Sequence, residues 1–128
     1  MQPEGLHDAA AMGYSHGVVT GPGRLLCVAG QVGEGPTACE QLDVALRGVA
    51  EVCAAAGGSM ADVAQMTWYT TDPVGSVWAD SVDVRRRWLP EPPPAMTVVQ
   101  VAGLADPKYR IEVAATAVVT AAEGRNRD

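Results

Sequence analysis

One glutamate interrupts a stretch of the chain that is otherwise built from small and apolar residues. Residues 110–119 alternate as a β-strand does, which places Glu112 on the opposite face from Ile111. A lone carboxylate there must be hydrated, paired or protonated, because burial of an uncompensated charge is costly. Glu112 is therefore the first candidate for positioning a water molecule or moving a proton. The alternative is a solvated rim carboxylate beside Lys108 or Arg110.

Near the amino terminus, Tyr14 and His16 lie two residues apart and would share one face of a strand. The Tyr14 hydroxyl can donate a hydrogen bond to a substrate, and the His16 ring can transfer protons near neutral pH. The alternatives are an aromatic anchor against a neighbouring subunit for Tyr14 and a surface or interface histidine for His16. We expect no role for His7, which lies in the terminal segment.

The charge balance and the cysteine spacing exclude several classes of site. The formal net charge is −6, with nine Lys and Arg against fifteen Asp and Glu, so a nucleic-acid partner is not expected. The three cysteines, Cys27, Cys39 and Cys53, form no CxxC pair and predict neither a zinc site nor a disulfide framework. The sequence also has no zinc-deaminase, phosphate-loop or nucleophile-elbow motif.

The first residues carry no signal-peptide pattern, and no apolar run approaches the roughly 20 residues that a membrane helix needs. Together with an odd number of unpaired cysteines, this predicts a cytoplasmic protein without a membrane partner.

Periodicity and turn signals predict the order β-β-α-β-α-β-β. The strands cover residues 13–20, 25–29, 64–71, 95–102 and 110–119, and the helices begin at Thr37, with Glu40 completing a capping box, and at Gly75. The fold class is α+β, with one mixed sheet and both helices on one of its faces. We predict a single domain over residues 12–120, with flexible segments at 1–11 and 121–128.

The uncovered face of this sheet would carry neutral and apolar side chains, namely Gln65, Thr67, Tyr69, Thr97, Val99 and Val101. Such a face is too apolar to be left in water, so self-association into a closed ring is expected.

Five segments along the chain form an ordered set. They are Gly13-Tyr14-Ser15-His16; Val28-Ala29-Gly30-Gln31; Ala55-Ala56-Gly57-Gly58-Ser59 with Asp62-Val63; Thr70-Thr71-Asp72; and Pro94-Ala95-x-Thr97 with Val101-x-x-Leu104 and Ile111-Glu112-Val113. Each segment alone is common, but in this order and at this spacing, over residues 12–119, the chain resembles the Rid family, also called YjgF or L-PSP.

The resemblance implies a chorismate-mutase-like fold and a homotrimer whose sheets line a central barrel, with three clefts between subunits. Deaminating members bind the carboxylate of a 2-imino or enamine acid there, and water displaces ammonia without a metal or cofactor. On this pattern Glu112 matches the glutamate that positions water or shuttles protons, and Tyr14 matches the cleft tyrosine. Gly30, followed by Gln31, matches a glycine whose backbone approaches the ligand. A plain turn at the end of a strand would give the same sequence pattern, so this alternative stays open.

The sequence departs from the family pattern at Met96. Deaminating members have Pro-Ala-Arg where this chain has Pro94-Ala95-Met96. Their arginine binds the substrate carboxylate through the N–H donors of its planar guanidinium group. Methionine has no such donor. Val98 stands where many members carry a cysteine. Met96 and Val98, with Trp88, would line a cleft suited to a neutral or less acidic ligand, or would simply fill it.

The run Arg85-Arg86-Arg87 could supply a replacement cation, although at most one of three successive helical residues can face a cleft. The alternative is a solvated helix face that pairs with Asp80 and Asp83.

Three functions follow from these alternatives. The first is an enzyme that hydrolyses an imine or enamine, or shifts a proton, through Glu112 and water, with a changed substrate class. The second is a module that binds a metabolite without turnover. The third, implied by the resemblance because some family members have this activity but disfavoured by the net charge of −6, is an endoribonuclease.

Overall fold

Four strands form one mixed sheet in the computed structural model of the chain, which describes residues 1–120. The strands are β1 (Arg24–Gln31), β2 (Val63–Thr70), β3 (Ala95–Gln100) and β4 (Ile111–Val119); the helices are α1 (Ala9–Met12), α2 (Ala38–Ala55), α3 (Val74–Asp80) and α4 (Val82–Trp88), with a 3-10 helix at Met60–Asp62. The sheet order is β1-β4-β2-β3, with β4 antiparallel to both of its neighbours and β2 parallel to β3. The predicted α+β class with one mixed sheet is confirmed.

Helix α2 covers one face of the sheet and forms the core with it. Thr37 caps the helix, since its hydroxyl accepts a hydrogen bond from the Glu40 amide at 3.2 Å. The core side chains that meet across this contact are fully buried; they are Leu42, Leu46, Val49, Met66, Trp68, Ile111 and Val113. Helices α3 and α4 pack on the same side. In the part of the chain that the structure describes, the opposite face of the sheet is therefore open.

The prediction of a first strand over residues 13–20 is wrong. Gly13 instead ends α1 in the left-handed conformation, with φ at 91°, and Ser15 makes a single parallel bridge to Ala95 at the edge of β3. The pairing between this segment and β3 does not extend further, because residues 92–94 are prolines, which have no N–H to donate. In addition, residues 17, 21 and 23 are glycines, which lose much conformational entropy when they become ordered. The first regular element of the described chain is thus the short helix α1, which lies largely within the segment that we predicted to be flexible. The flexibility of residues 1–11 stays a prediction.

The predicted second helix is divided at Ser81 into α3 and α4. Ser81 is buried, its backbone lies outside the helical region (φ −96°, ψ 12°), and its hydroxyl donates to the Trp78 carbonyl at 3.1 Å. A serine that bonds to the preceding turn competes with the regular helix. Arg85 Nε donates to the same hydroxyl at 3.1 Å, which ties the two helices together.

The remaining predicted strands and the first predicted helix are confirmed, with small shifts at their ends. The predicted flexible tail, residues 121–128, lies outside the described residues. Within residues 1–120, no helix is long and apolar enough to cross a membrane.

Candidate functional site

Glu112 lies half-buried on the open face of the sheet, directly against Gly30. A Cβ atom placed on Gly30 would stand 2.7 Å from the Glu112 Cδ atom and 3.0 Å from its Cγ atom. The register of β1 shifts between Val28 and Gln31, so Gly30 belongs to a bulge. Bulges and strand glycines allow the backbone to approach another group closely. The absence of a side chain at residue 30 therefore leaves the space that the carboxylate occupies.

Tyr69 is the direct cross-strand neighbour of Glu112 and shares the open face with it. Val99 of β3 follows on the other side of Tyr69. Directly opposed residues have Cβ atoms about 4.5–5.5 Å apart, so the two side chains leave the sheet next to each other. Alternation within its strand predicts that Tyr69 lies on the uncovered face, but it does not identify Tyr69 as the neighbour of Glu112, because it does not reveal the register between strands.

The two basic residues considered as rim partners of Glu112 are paired elsewhere. Arg110 forms a bidentate ion pair with Asp72, with Nη2–Oδ2 and Nε–Oδ1 distances of 2.7 and 3.2 Å. Lys108 pairs with Glu34 at 3.1 Å, and this hydrogen bond raises the pKa of the lysine. Among residues 1–120, Glu112 has no ion-pair partner and is the only acidic or basic side chain on the open face of the sheet.

A buried glutamine of α2 fixes the point at which β4 begins. Gln41 Oε1 accepts a hydrogen bond from the Arg110 amide at 2.8 Å. Its Nε2 donates to the carbonyl oxygens of Lys108 at 2.9 Å and of Gly35 at 3.1 Å. These bonds hold the backbone two residues before Glu112 and so set the position from which β4 presents the carboxylate.

Tyr14 lies in a cluster of aromatic rings beyond the outer edge of β3, with β3 and β2 between it and Glu112. Its hydroxyl is hydrogen-bonded to His7 Nε2. The His16 ring lies 4.6 Å from the His7 ring and 5.6 Å from the Tyr14 ring between centroids. His16 Nε2 also bonds to the His7 carbonyl oxygen at 2.8 Å. His7, for which we expected no role, is thus a direct partner of Tyr14.

Met96 and Val98 lie on the helix-covered side of the sheet. Their register neighbours in β2 are Met66 and Trp68, which are fully buried, and both residues pack against the core. Within one protomer, Met96 therefore faces away from Glu112.

Gln31 and Trp88 also lie on the helix-covered side. Gln31 packs against Gly48 of α2. The Trp88 indole donates to Asp43 Oδ1 at 2.7 Å, and Arg87 donates to the same oxygen at 2.7 Å. The Trp88 hydrogen bond, followed by that of Arg87, lowers the pKa of Asp43. Trp88 therefore ties α4 to α2.

The remaining arginines of α4 do not reach Glu112 within one protomer, because the helix lies on the other side of the sheet. Arg85 stacks over Trp78, with its Cζ atom 3.9 Å from the ring centroid, and Arg86 is exposed. The ion pairs that we considered for this helix face, to aspartates one turn earlier, are not formed in the described residues.

Of the predicted site residues, one protomer therefore brings together only Glu112 and Gly30. Tyr14 lies at the far edge of the sheet, and the others, Gln31, Trp88, Met96 and Val98, lie on its opposite side. A cleft that used all of them would need surfaces from two protomers. Within residues 1–120, no three His, Cys, Asp or Glu side chains meet as metal ligands.

Known proteins resemble this chain over most of its length. A sequence model for the family described as Endoribonuclease L-PSP matches residues 6–119, whereas no curated protein matches significantly. A Rid-family protein of unknown function from Yersinia pestis is 28% identical, with a TM-score of 0.82 over 93% of this chain and 96% of its own. A YjgF/YER057c/UK114-family protein from Mycobacterium tuberculosis is 32% identical, with a TM-score of 0.69 over 91% and 95%. RidA from an Antarctic Psychrobacter is 28% identical, with a TM-score of 0.69 over 83% and 88%.

Proposed function

This chain belongs to the Rid family, the YjgF or L-PSP proteins, and from that premise we propose that it is a cytoplasmic, homotrimeric enzyme that hydrolyses imines or enamines without a metal. Its sites are clefts between protomers, and Glu112 is the catalytic residue. The observation that carries the proposal is the position of this carboxylate, which is held over Gly30 on a face without any other acidic or basic side chain among the described residues.

The open face of the sheet supports the proposed assembly. Leu25 and Val99 lie on this face and are 68% and 37% exposed in the single chain. Apolar faces of this kind are usually covered by another protein surface, and a closed ring covers the same face in every copy. In such a ring, a cleft can combine Glu112 of one protomer with Tyr14 or Met96 of its neighbour.

The proposed chemistry uses the carboxylate as a proton carrier. A water molecule held by Glu112 attacks the carbon of the C=N bond while the carboxylate takes one of its protons and passes it to the nitrogen, which gives an amino alcohol. The hydroxyl proton then moves to the nitrogen by the same route, the C–N electron pair leaves with the nitrogen, and ammonia and a carbonyl product remain. Proton transfer by a positioned side chain typically contributes 10²–10⁴-fold to a rate.

The substrate class follows from Met96. A hydrogen bond to a charged group is worth about 1.5–3 kcal/mol, so each bond missing from a carboxylate clamp weakens binding by about tenfold or more. Methionine offers apolar, adaptable contacts in place of donors. We therefore propose that the preferred imine is neutral or less acidic than the 2-imino acids of the deaminating relatives.

Ammonia release from freshly generated 2-aminoacrylate tests the proposal with wild type, Glu112→Ala and Met96→Arg side by side. Activity in wild type that is lost in Glu112→Ala supports hydrolysis without the arginine. Activity in Met96→Arg alone supports a scaffold that acts on a less acidic substrate. If wild type also leaves neutral imines unchanged, the enzymatic proposal fails.

Binding of a metabolite without turnover is the second candidate. This candidate is favoured by the side chains of Met96 and Val98, which pack against the core and offer no hydrogen-bond donor to a ligand. An endoribonuclease activity is not proposed, because a chain with a net charge of −6 offers little electrostatic attraction to RNA.

A further inference from the structure

A second cleft, with a volume of about 670 Å³, lies between the end of α1, the α3–α4 pair and the proline-rich segment before β3. We propose that it binds a small organic carboxylate with an apolar body. The cleft lies on the helix-covered side of the sheet, away from Glu112, and the proposal does not depend on the proposed function. Small-molecule sites usually enclose about 300–1,000 Å³.

Arg85 is held rigidly in the wall of this cleft. Its Nε atom donates to Ser81 Oγ at 3.1 Å and its Nη2 atom donates to the Trp78 carbonyl at 2.8 Å. The guanidinium also stacks on the Trp78 ring at 3.9 Å. The ring is fixed in turn, because its indole N–H donates to the Met12 carbonyl at 3.0 Å. A donor that is already ordered loses little entropy when a ligand binds.

Arg85 lines the cleft, and one of its three guanidinium nitrogens has no partner in the part of the chain that the structure describes. Arg85 Nη1 lies next to Gly13, where a Cβ atom would stand only 2.5 Å away, and within residues 1–120 it makes no hydrogen bond or ion pair. Arg86 lines the same cleft, so two of the three successive arginines face it although we expected at most one, and Arg86 also has no ion pair in this part of the chain. Burial, followed by the charge of Arg86, lowers the pKa of Arg85. An anion bound between the two arginine side chains would favour the charged form of Arg85 and so offset both its burial and its repulsion by Arg86.

The other walls favour a single carboxylate over a phosphate. Met12, Leu89 and Pro93 supply apolar surface for the body of a ligand. Glu91 lies at the cleft and would repel a second negative charge. A planar guanidinium edge fits the two oxygens of a carboxylate. The cleft therefore fits one carboxylate on an apolar body rather than a multiply charged anion.

Isothermal titration calorimetry of the whole 128-residue chain with benzoate tests this site, with benzamide and inorganic phosphate as comparison probes. We expect saturable benzoate binding that Arg86→Gln weakens by about tenfold, the loss for one charged hydrogen bond. Arg86 is exposed, so this substitution should not affect folding. Arg47→Gln, which removes the same charge from an exposed position on α2, is the matched control and should bind as wild type does.

Arg85→Lys, which keeps the charge and loses the planar edge, should also weaken benzoate binding. Glu112→Gln should leave it unchanged, which separates this site from the proposed catalytic one. Equal binding of benzamide, tighter binding of phosphate, or equal loss in Arg86→Gln and Arg47→Gln would each overturn the assignment.

Discussion

The carboxylate of Glu112 lies over the backbone of Gly30, and a Cβ atom on residue 30 would stand 3.0 Å from the glutamate Cγ atom. One strand thus supplies the functional group, and the bulge of its neighbour supplies the space that the group occupies. This relationship makes an apparently inert glycine part of the candidate site.

Replacing Gly30 by alanine should displace the Glu112 carboxylate. Overpacking typically costs about 1–3 kcal/mol, so we expect a lower free energy of unfolding in urea and a lower kcat for any imine hydrolysis. Gly103→Ala is the control, because no atom lies within 4 Å of its added Cβ. Equal stability and activity in the two variants would contradict the close contact.

Gln41→Leu should destabilise the protein by about 3 kcal/mol or more, because it leaves three backbone groups without their partner and each such group costs about 1–3 kcal/mol when it is buried. The groups affected are the Arg110 amide and the carbonyls of Lys108 and Gly35. Urea unfolding measures the loss, with Gln100→Leu at an exposed position as the control. A difference below about 0.5 kcal/mol between the two variants, the usual range for surface changes, would mean that this network does not fix the start of β4.

Asp43 should contribute stability that is lost in acid. Hydrogen bonds from Trp88 and Arg87 lower its folded-state pKa, while the unfolded value is the usual one of about 3.9. The contribution is therefore complete above the unfolded pKa and disappears as the pH falls through the lower, folded pKa. Urea unfolding of wild type and Asp43→Asn should differ at pH 7 and converge at strongly acidic pH. A difference that grows in acid would contradict this sign.

Leu25→Glu should dissociate the proposed trimer into single chains, because it places a charge on the open face of the sheet, which the trimer would bury. Sedimentation of wild type should give about three times the chain mass of 13.3 kDa, and the variant should sediment as a single chain. Val19→Glu is the control, since Val19 is 82% exposed and lies outside the sheet. A trimer that survives Leu25→Glu would place the interface elsewhere.

Much of the fold could be predicted because local patterns were strong. The helical spacing after Thr37 and the alternation around Glu112 are each set by residues near in sequence, and both are confirmed. The strand predicted over residues 13–20 was wrong because its pairing depended on a distant, proline-rich edge. Tyr69 was missed as a neighbour of Glu112 because register is fixed between strands rather than within one.

The catalytic role of Glu112 is tested most directly by the ammonia-release kcat of Glu112→Gln on the best imine substrate of the wild type. The amide keeps the shape of the side chain and loses its ability to accept a proton, so we predict that kcat falls by about 100-fold or more. Glu51→Gln, an exposed carboxylate on α2, should keep the wild-type rate. If Glu112→Gln turns over as fast as Glu51→Gln, Glu112 is not the catalytic residue.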